Sequence, residues 1–425
     1  MRGGSNRRDF LRAATGAALA TQVPLFVRPG RAGAARGSGG SPLLVMVFLR
    51  GGADGLALLP RLGDPALEAA RGPLLPARPI ALPGQAFGLH PSLAPLAARV
   101  RDEQIAAVCA VGLALRERSH FEAQELCERG GARPGAHPQG WLARALAAGP
   151  TEPSAFRAIA ATDARPLALD GDPRALAFEE IGDLRVPGDG GASREALRRL
   201  FEPRAPEDPT SAIARAGRDA LDAVAALRAA GSDRLPDADA FRGRLGRQLE
   251  TVARVARADL GLVAACVDVQ GWDTHVRQGA DEGALARAAG ELAENVAALL
   301  RALEARMDDL LVLVVTEFGR TVEPNGSGGT DHGRASVALA LGGAVAGGRV
   351  HGRWPGVAPE AREDGRDLRV TTDLRDVLAE GARHLGARDL TRVFPDFEAR
   401  PTGLLGDAWT HGATGSGRGI RAHRG

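Results

Sequence analysis

The 425-residue sequence predicts an α/β protein built on a mostly parallel sheet. Three observations carry that expectation. Continuous apolar runs of strand length recur along the chain, the pattern of strands covered on both faces. Segments with helical apolar spacing separate them, as in βαβ connections. The polar residues able to do chemistry gather where the runs end, the edge at which such sheets bind ligands.

The first 34 residues read as an address. Asn6-Arg7-Arg8-Asp9-Phe10-Leu11-Arg12, the weakly apolar stretch Ala13 to Val27 and the small residues Ala32-Gly33-Ala34 match a twin-arginine export signal with its cleavage site. A basic amphipathic helix is the alternative. Pro24 and Arg28 interrupt the apolar stretch, and no other run approaches the ~18 apolar residues of a membrane span. The expectation is therefore a periplasmic or extracellular protein with no transmembrane anchor after signal removal, and with the twin-arginine translocase as its partner during export. Residues 35–42 read as a linker, 43–400 as an α/β domain and 401–425 as a Gly-rich tail.

The first strand, Leu43 to Leu49, ends at Arg50-Gly51-Gly52-Ala53-Asp54-Gly55, a glycine-rich turn presenting one carboxylate. The second, Ile105 to Val111, leads to Arg116-Glu117-Arg118-Ser119-His120. A helix begins there, and Ser119 with Glu122 has the S-x-x-E spacing of a capping box. Residues 150–210 are proline-rich and yield no clear element. Apolar spacing predicts helices over about 210–230 and 238–259. A third strand, Leu262 to Val269, ends at Gln270-Gly271-Trp272-Asp273-Thr274-His275. A long helix over about 283–306 precedes the fourth strand, Leu310 to Val315, which ends at Thr316-Glu317-Phe318-Gly319-Arg320-Thr321. The glycine-rich loop through Asp331-His332-Gly333 comes before a fifth apolar run, Val337 to Leu341, and a helix over about 372–386 follows.

Composition removes several function classes. All 54 basic residues are arginine, and there is no tyrosine. Without lysine there is no Schiff base, no pyridoxal-phosphate anchor and no P-loop lysine. The 52 acidic residues leave a net charge of +2, which turns slightly negative once residues 1–34 are removed, so nucleic acid is not an expected partner. Cys109, Cys127 and Cys266 form no C-x-x-C pair, against a zinc knot or an iron–sulfur cluster. No G-x-G-x-x-G stands between a strand and a helix.

What remains at the strand ends is carboxylate and imidazole: Asp54, His120, Asp273, His275, Glu317, Asp331 and His332. Those donors suit zinc, manganese or a similar divalent ion, and a pair of such ions suits hydrolysis of phosphoryl-type esters. Asp273 and His275, two apart, share a side in extended chain. Adjacent Asp331 and His332 can serve one ion only from an irregular loop, which the surrounding glycines permit. A serine at a helix start beside a cation, Ser119, has its alkoxide stabilised by the dipole and the charge. His120 reads as a ligand, a base or a packed side chain. Arg50 and Arg320 stand where they could clamp an anionic substrate.

Phe48-Leu49-Arg50-Gly51-Gly52-Ala53-Asp54-Gly55, Arg118-Ser119-His120-Phe121, Gly271-Trp272-Asp273-Thr274-His275, Thr316-Glu317-Phe318-Gly319-Arg320-Thr321, Thr330-Asp331-His332-Gly333 and Gly352-Arg353-Trp354-Pro355, after a twin-arginine signal, resemble the exported bacterial family known as domain of unknown function fifteen-oh-one. That family is grouped with the alkaline phosphatase, sulfatase and phosphoglycerate mutase superfamily. The resemblance implies an alkaline-phosphatase-like three-layer sandwich with divalent metal at the strand ends, zinc first and manganese or calcium as alternatives. By the same resemblance Asp54 is the first-strand metal carboxylate, Ser119 the nucleophile with His120 beside it, and Asp273 and His275 a ligand pair. Glu317 stands where an aspartate followed by histidine is usual. Asp331-His332 either replaces that pair or supplies the last histidine ligand. The resemblance supplies no assigned reaction; the convergence of these residues on the strand ends motivates hydrolysis of a small anionic ester, phosphate or sulfate. The missing aspartate–histidine pair after the fourth strand motivates the alternative, an exported binding or assembly protein that keeps the fold with a degenerate site.

Overall fold

The computed structural model describes residues 41–406, apart from 151–153, 155 and most of 184–236. The expected export signal, residues 35–40 of the linker, about half of the helix expected at 210–230 and the tail beyond 406 lie outside the described residues; within that expected helix, 224–229 are helical.

Among the described residues the strands are β1 Leu43–Leu49, β2 Ile80–Ala81, β3 Gly88–Leu89, β4 Ile105–Gly112, β5 Ala158–Ala160, β6 Leu176–Ala177, β7 Ala264–Val269, β8 Leu310–Thr316, β9 Ser336–Leu341, β10 Val350–His351 and β11 Thr372–Asp373. The helices are α1 Gly55–Leu58, α2 Pro65–Arg71, α3 Ala97–Arg101, α4 His120–Arg129, α5 Trp141–Ala148, α6 Gly243–Arg257, α7 Ala284–Ala302 and α8 Leu374–His384. β2 and β3 pair only with each other.

The other strands form one sheet in the order β10-β4-β9-β8-β1-β7-β5-β6, with β11 also on β4. β1 lies between β7 and β8 and runs parallel to both. Its residues alternate: Leu43, Val45, Val47 and Leu49 enter one core, Leu44, Met46 and Phe48 the other. α6 and α7 cover the first face with Leu249, Val252, Leu292, Val296 and Leu299. α5 and α8 cover the second with Trp141, Leu142, Val377 and Leu378. Each such buried side chain contributes about 1.5–3 kcal/mol relative to exposure, which explains why β1 has no polar position. The expected α/β sandwich is what forms: a mostly parallel sheet with helices on both sides.

β9 is the exception. It runs antiparallel to both β4 and β8. Its first residue therefore lies at the edge where β1, β4, β7 and β8 finish, and residues 317–335 form a connection confined to that edge. Had β9 been parallel, Asp331 and His332, which precede it, would sit at the opposite edge. β4 is bulged between Val108 and Val111, where Ala110 takes a left-handed φ of 53°. Such a bulge re-aims the chain beyond it, here the segment leading into α4.

The long helices end inside the ranges their periodicity predicts. α6 starts only at Gly243, because Arg242 and Phe241 are extended after a short turn at 238–240. α7 stops at Ala302 and tightens into a 3-10 turn, Glu304–Asp309.

Candidate metal centre

Three histidines and one aspartate converge at the C-terminal edge of the sheet. His120 is the first residue of α4, Asp273 and His275 follow β7, and His332 lies in the connection before β9. His120 Nε2 is 3.5 Å from Asp273 Oδ2. His275 Nε2 and His332 Nε2 are 3.1 and 3.4 Å from Asp273 Oδ1 and 2.9 Å from each other. Ligand atoms of His120, Asp273 and His332 all lie within 4.8 Å of one another, and His275 adjoins two of the three.

The other ring nitrogen of each histidine meets an acceptor. His120 Nδ1–H donates to Glu317 Oε1 at 2.8 Å. His275 Nδ1–H donates to Asp331 Oδ1 at 3.1 Å. His332 Nδ1–H donates to the Arg118 carbonyl at 2.8 Å. A neutral imidazole that donates through Nδ1 holds a lone pair on Nε2. In that neutral state three Nε2 lone pairs face one carboxylate, and two face each other at hydrogen-bond distance. Either a proton or a cation relieves that arrangement. The carboxylate or carbonyl behind each histidine is the usual partner of a metal-bound imidazole, which it orients and makes more basic.

Charges around the centre follow from the same bonds. The hydrogen bond to Glu317 raises the His120 pKa against the opposing effect of burial, with the charges of Glu317 and Asp273 adding to it. Burial lowers that of His332, and the His120 and Arg320 charges lower it further. Burial works against ionisation of Asp273, yet the Arg320 guanidinium and the neighbouring histidines hold its carboxyl below the usual range. Glu317 is fully buried, and bonds from His120, Gln124 and the Gly51 N–H outweigh the burial and lower its pKa too. Asn325 and His275 do the same for Asp331.

Other expected site residues are placed differently. Asp54 does not join the cluster. Its carboxylate is fully buried, caps α1 through the Leu56 N–H, accepts from Gln278 and pairs with Arg71 through both oxygens. Glu317 and Asp331 stand behind histidines and not among the converging Nε2 atoms. Arg320, expected to clamp substrate, is 1% exposed; it donates to the carbonyls of Gly51, Gly52, Trp272 and Thr330 and to Asp273 Oδ1 at 2.5 Å. Arg50 is likewise engaged, with Gln124, Glu128 and Asp268. Ser119 is the N-cap residue of α4, but its side chain does not cap the helix. The expected capping box does not form; Glu117 accepts the N–H of Arg118 at 2.8 Å and of Ser119 at 2.6 Å instead. The Ser119 hydroxyl is exposed at the helix start, next to His120 in the chain.

Sequence reasoning passed over Gln124, Gln278, Asn325, Arg71 and the Arg118 carbonyl. Gln124 had a usable signal: four residues after His120 on a helix, it shares that face, and both donate to Glu317 Oε1. Phe318 packs against the rings of His120 and His332, with centroids 4.9 Å away in each case.

Fold and cluster together define an α/β sandwich protein with a histidine–aspartate centre suited to a divalent cation. Residues 84–411 match the family described as "Protein of unknown function (DUF1501)", and the chain belongs to that family. No curated protein matches it in sequence. Among solved structures the chain is similar to the C-terminal periplasmic domain of EcEptC from Escherichia coli in complex with Zn, at 10% identity over 86% of this chain and 89% of that one, with a TM-score of 0.41. It is also similar to the PsFucS1 sulfatase from Pseudoalteromonas sp., at 8% identity over 95% and 75% of the two chains, with a TM-score of 0.37. A third is the phosphonate monoester hydrolase of Agrobacterium radiobacter, at 11% identity over 85% and 78%, with a TM-score of 0.34.

Proposed function

We propose that this chain is an exported, metal-dependent hydrolase of phosphate or sulfate esters. The observation that carries the reading is a shared arrangement: three histidines, each with an acceptor at Nδ1, turn three Nε2 atoms toward Asp273. Three imidazoles and a carboxylate suit zinc best and manganese next; calcium prefers six to eight oxygens and fits this nitrogen-rich set least. Bound there, the cation supplies a positive charge that polarises the ester oxygen and stabilises the charge that develops on it. Ser119 is the nucleophile: its hydroxyl is exposed, is not used in capping, and lies at the N-terminus of a ten-residue helix whose dipole favours an anion. Asp273 and the histidines hold the cation, while Glu317 and Asp331 keep the imidazoles oriented. Among the described residues no helix is long and apolar enough to cross a membrane, and export rests on the twin arginines at positions 7 and 8.

A second reading, a non-catalytic exported binding protein, is favoured by one observation: Asp54, expected as a metal carboxylate, is paired with Arg71. Elemental analysis of protein recovered from the periplasm separates the two. The hydrolase reading expects bound zinc or manganese, lost in Asp273→Ala/His332→Ala, and ester hydrolysis that Ser119→Ala lowers by at least ~10²-fold without removing the metal. Replacing Arg7 and Arg8 by lysine is expected to keep the precursor in the cytoplasm. A well-folded protein without metal, or full activity in Ser119→Ala, would overturn the metal or the nucleophile assignment respectively.

A further inference from the structure

The approach of His275 and His332 is costly to hold. Two Nε2 atoms with their lone pairs toward each other, 2.9 Å apart, repel unless a proton or a cation lies between them. A centre of that kind works only if the loops bearing the ligands are fixed before the cation arrives. Beneath those loops, fully buried, is the Gln278 carboxamide.

Gln278 Oε1 accepts from the Thr274 hydroxyl at 2.8 Å and from the Thr330 hydroxyl at 2.7 Å. Thr274 stands between Asp273 and His275, and Thr330 directly precedes Asp331-His332. Gln278 Nε2 donates to Asp54 Oδ2 at 2.6 Å. Asp54 in turn pairs with Arg71, which also donates to the carbonyls of Thr321 and Val322 at 2.6 Å each. One amide thus ties the turn after β1, the turn after β7 and the β8–β9 connection together. The side-chain type follows from the bonds: the position needs an acceptor for two hydroxyls and a donor for a carboxylate, and the glutamine carboxamide supplies the two on separate atoms. Glutamate would face Asp54 with no hydrogen, and leucine would leave two hydroxyls and a carboxylate without their partner.

We propose that Gln278 is the positioning residue of the metal centre: through Thr274 and Thr330 it holds both ligand-bearing loops against the buried Asp54–Arg71 pair, so that Asp54 anchors the ligand set without joining it. The proposal rests on the reading that the histidine–aspartate set binds a divalent cation. Its consequence is a centre for one cation, with Asp54 outside it.

The test uses zinc alone, titrated into metal-free, full-length mature protein against a chromophoric chelator, with thermal melting of each zinc-free protein alongside. Wild type is expected to take one equivalent. Gln278→Leu and Gln278→Glu are expected to keep that stoichiometry but bind about 10- to 100-fold more weakly, the usual cost of losing an orienting partner of a ligand. Asp54→Asn is expected to weaken zinc in the same way. The double variant Asp54→Asn/Gln278→Glu restores a donor–acceptor pair in the reverse sense, with the amide now at position 54 donating to a carboxylate at position 278, but it also turns an N–H toward Arg71, which bonds both Asp54 oxygens, so only part of the affinity is expected to return. A purely structural role for Gln278 predicts lower melting temperatures with unchanged zinc affinity and no recovery in the double variant, and that result overturns the proposal while leaving the hydrolase reading intact. A second equivalent of zinc in wild type, lost in Asp54→Asn, would make Asp54 a ligand and also overturn it. Wild type that binds no zinc removes both the proposal and the reading beneath it.

Discussion

Arg320 brings a full charge into a region closed to water, and it is tolerated there because each of the three guanidinium nitrogens meets an acceptor. Four backbone carbonyls and Asp273 surround it, drawn from the turns after β1 and β7 and from the β8–β9 connection. That geometry belongs to arginine. A lysine ammonium has three donors on a flexible stem and cannot reach carbonyls on opposite sides of a planar group. Arg320→Lys is therefore expected to lower stability by about 3 kcal/mol, the range for a disrupted buried charge network, and to loosen Asp273 as well. Equilibrium urea unfolding measures the first and zinc titration the second. A variant of unchanged stability that had lost only substrate affinity would return Arg320 to the clamp the sequence suggested. At this scale the sequence marks the ligands better than their supports. Asp273, His275 and His332 sit in short polar motifs beyond apolar runs, where a ligand edge is anticipated. Asp54 sits in an equally prominent motif, but its partner Arg71 is one of 54 basic residues, all arginine, and follows no motif, so nothing in the sequence shows that this carboxylate is already paired.

The direction of β9 decides whether the centre exists at all, and it is set by a short stretch of close backbone contact. Gly319 donates its N–H to the Arg334 carbonyl at 3.0 Å and accepts from the Gly333 N–H at 2.8 Å, and between them Arg320 pairs with His332 in antiparallel fashion. A Cβ on Gly319 would lie 1.8 Å from the Ala335 carbonyl oxygen, immediately before β9, and one on Gly333 would lie 2.4 Å from the Arg320 carbonyl carbon. Gly319→Ala must push the start of β9 away. The expected result is a loss of about 1–3 kcal/mol, as for overpacking elsewhere, accompanied by weaker zinc binding because His332 moves with the strand. Chemical denaturation and the zinc titration should report both losses together. Stability and affinity equal to wild type would mean the contact is not needed. The apolar runs identify β1, β4, β7, β8 and β9 to within a residue or two, because strands buried on both faces leave an uninterrupted signal. They carry no information on direction. β5 and β6, with three and two residues, are too short to leave a pattern and fall in the proline-rich stretch where no periodicity develops.

With helices on both faces, the sheet has no side from which water can reach a group in its core, and acid acts on the molecule through that fact. His90, His351 and His384 lie away from the centre, and burial lowers the pKa of each. His384, the last residue of α8, is buried with Nε2 3.3 Å from the Leu43 carbonyl at the start of β1, and its pKa is pushed down to about 4. In the unfolded chain the same imidazole titrates near 6.5. Above that value both states are neutral and the contribution to stability is complete. As pH falls below it the unfolded state binds the proton first, so stability declines with acidification until the folded pKa is reached, and no further loss follows below about pH 4. Buried Glu128 and Asp268 act in the opposite sense: burial raises their pKa, so the folded state takes up protons before the unfolded one. A whole-protein pH curve mixes these terms, and His384→Gln isolates one, since the glutamine amide can still donate toward the Leu43 carbonyl while carrying no titrating group. With chelator present, the stability of wild type relative to His384→Gln is expected to fall by about 2 kcal/mol between pH 7 and pH 5, from the 1.4 kcal/mol attached to each pH unit below 6.5. Parallel curves for the two proteins would show that His384 titrates alike in both states, and that the layer of helix over β1 opens to water before the rest of the fold gives way.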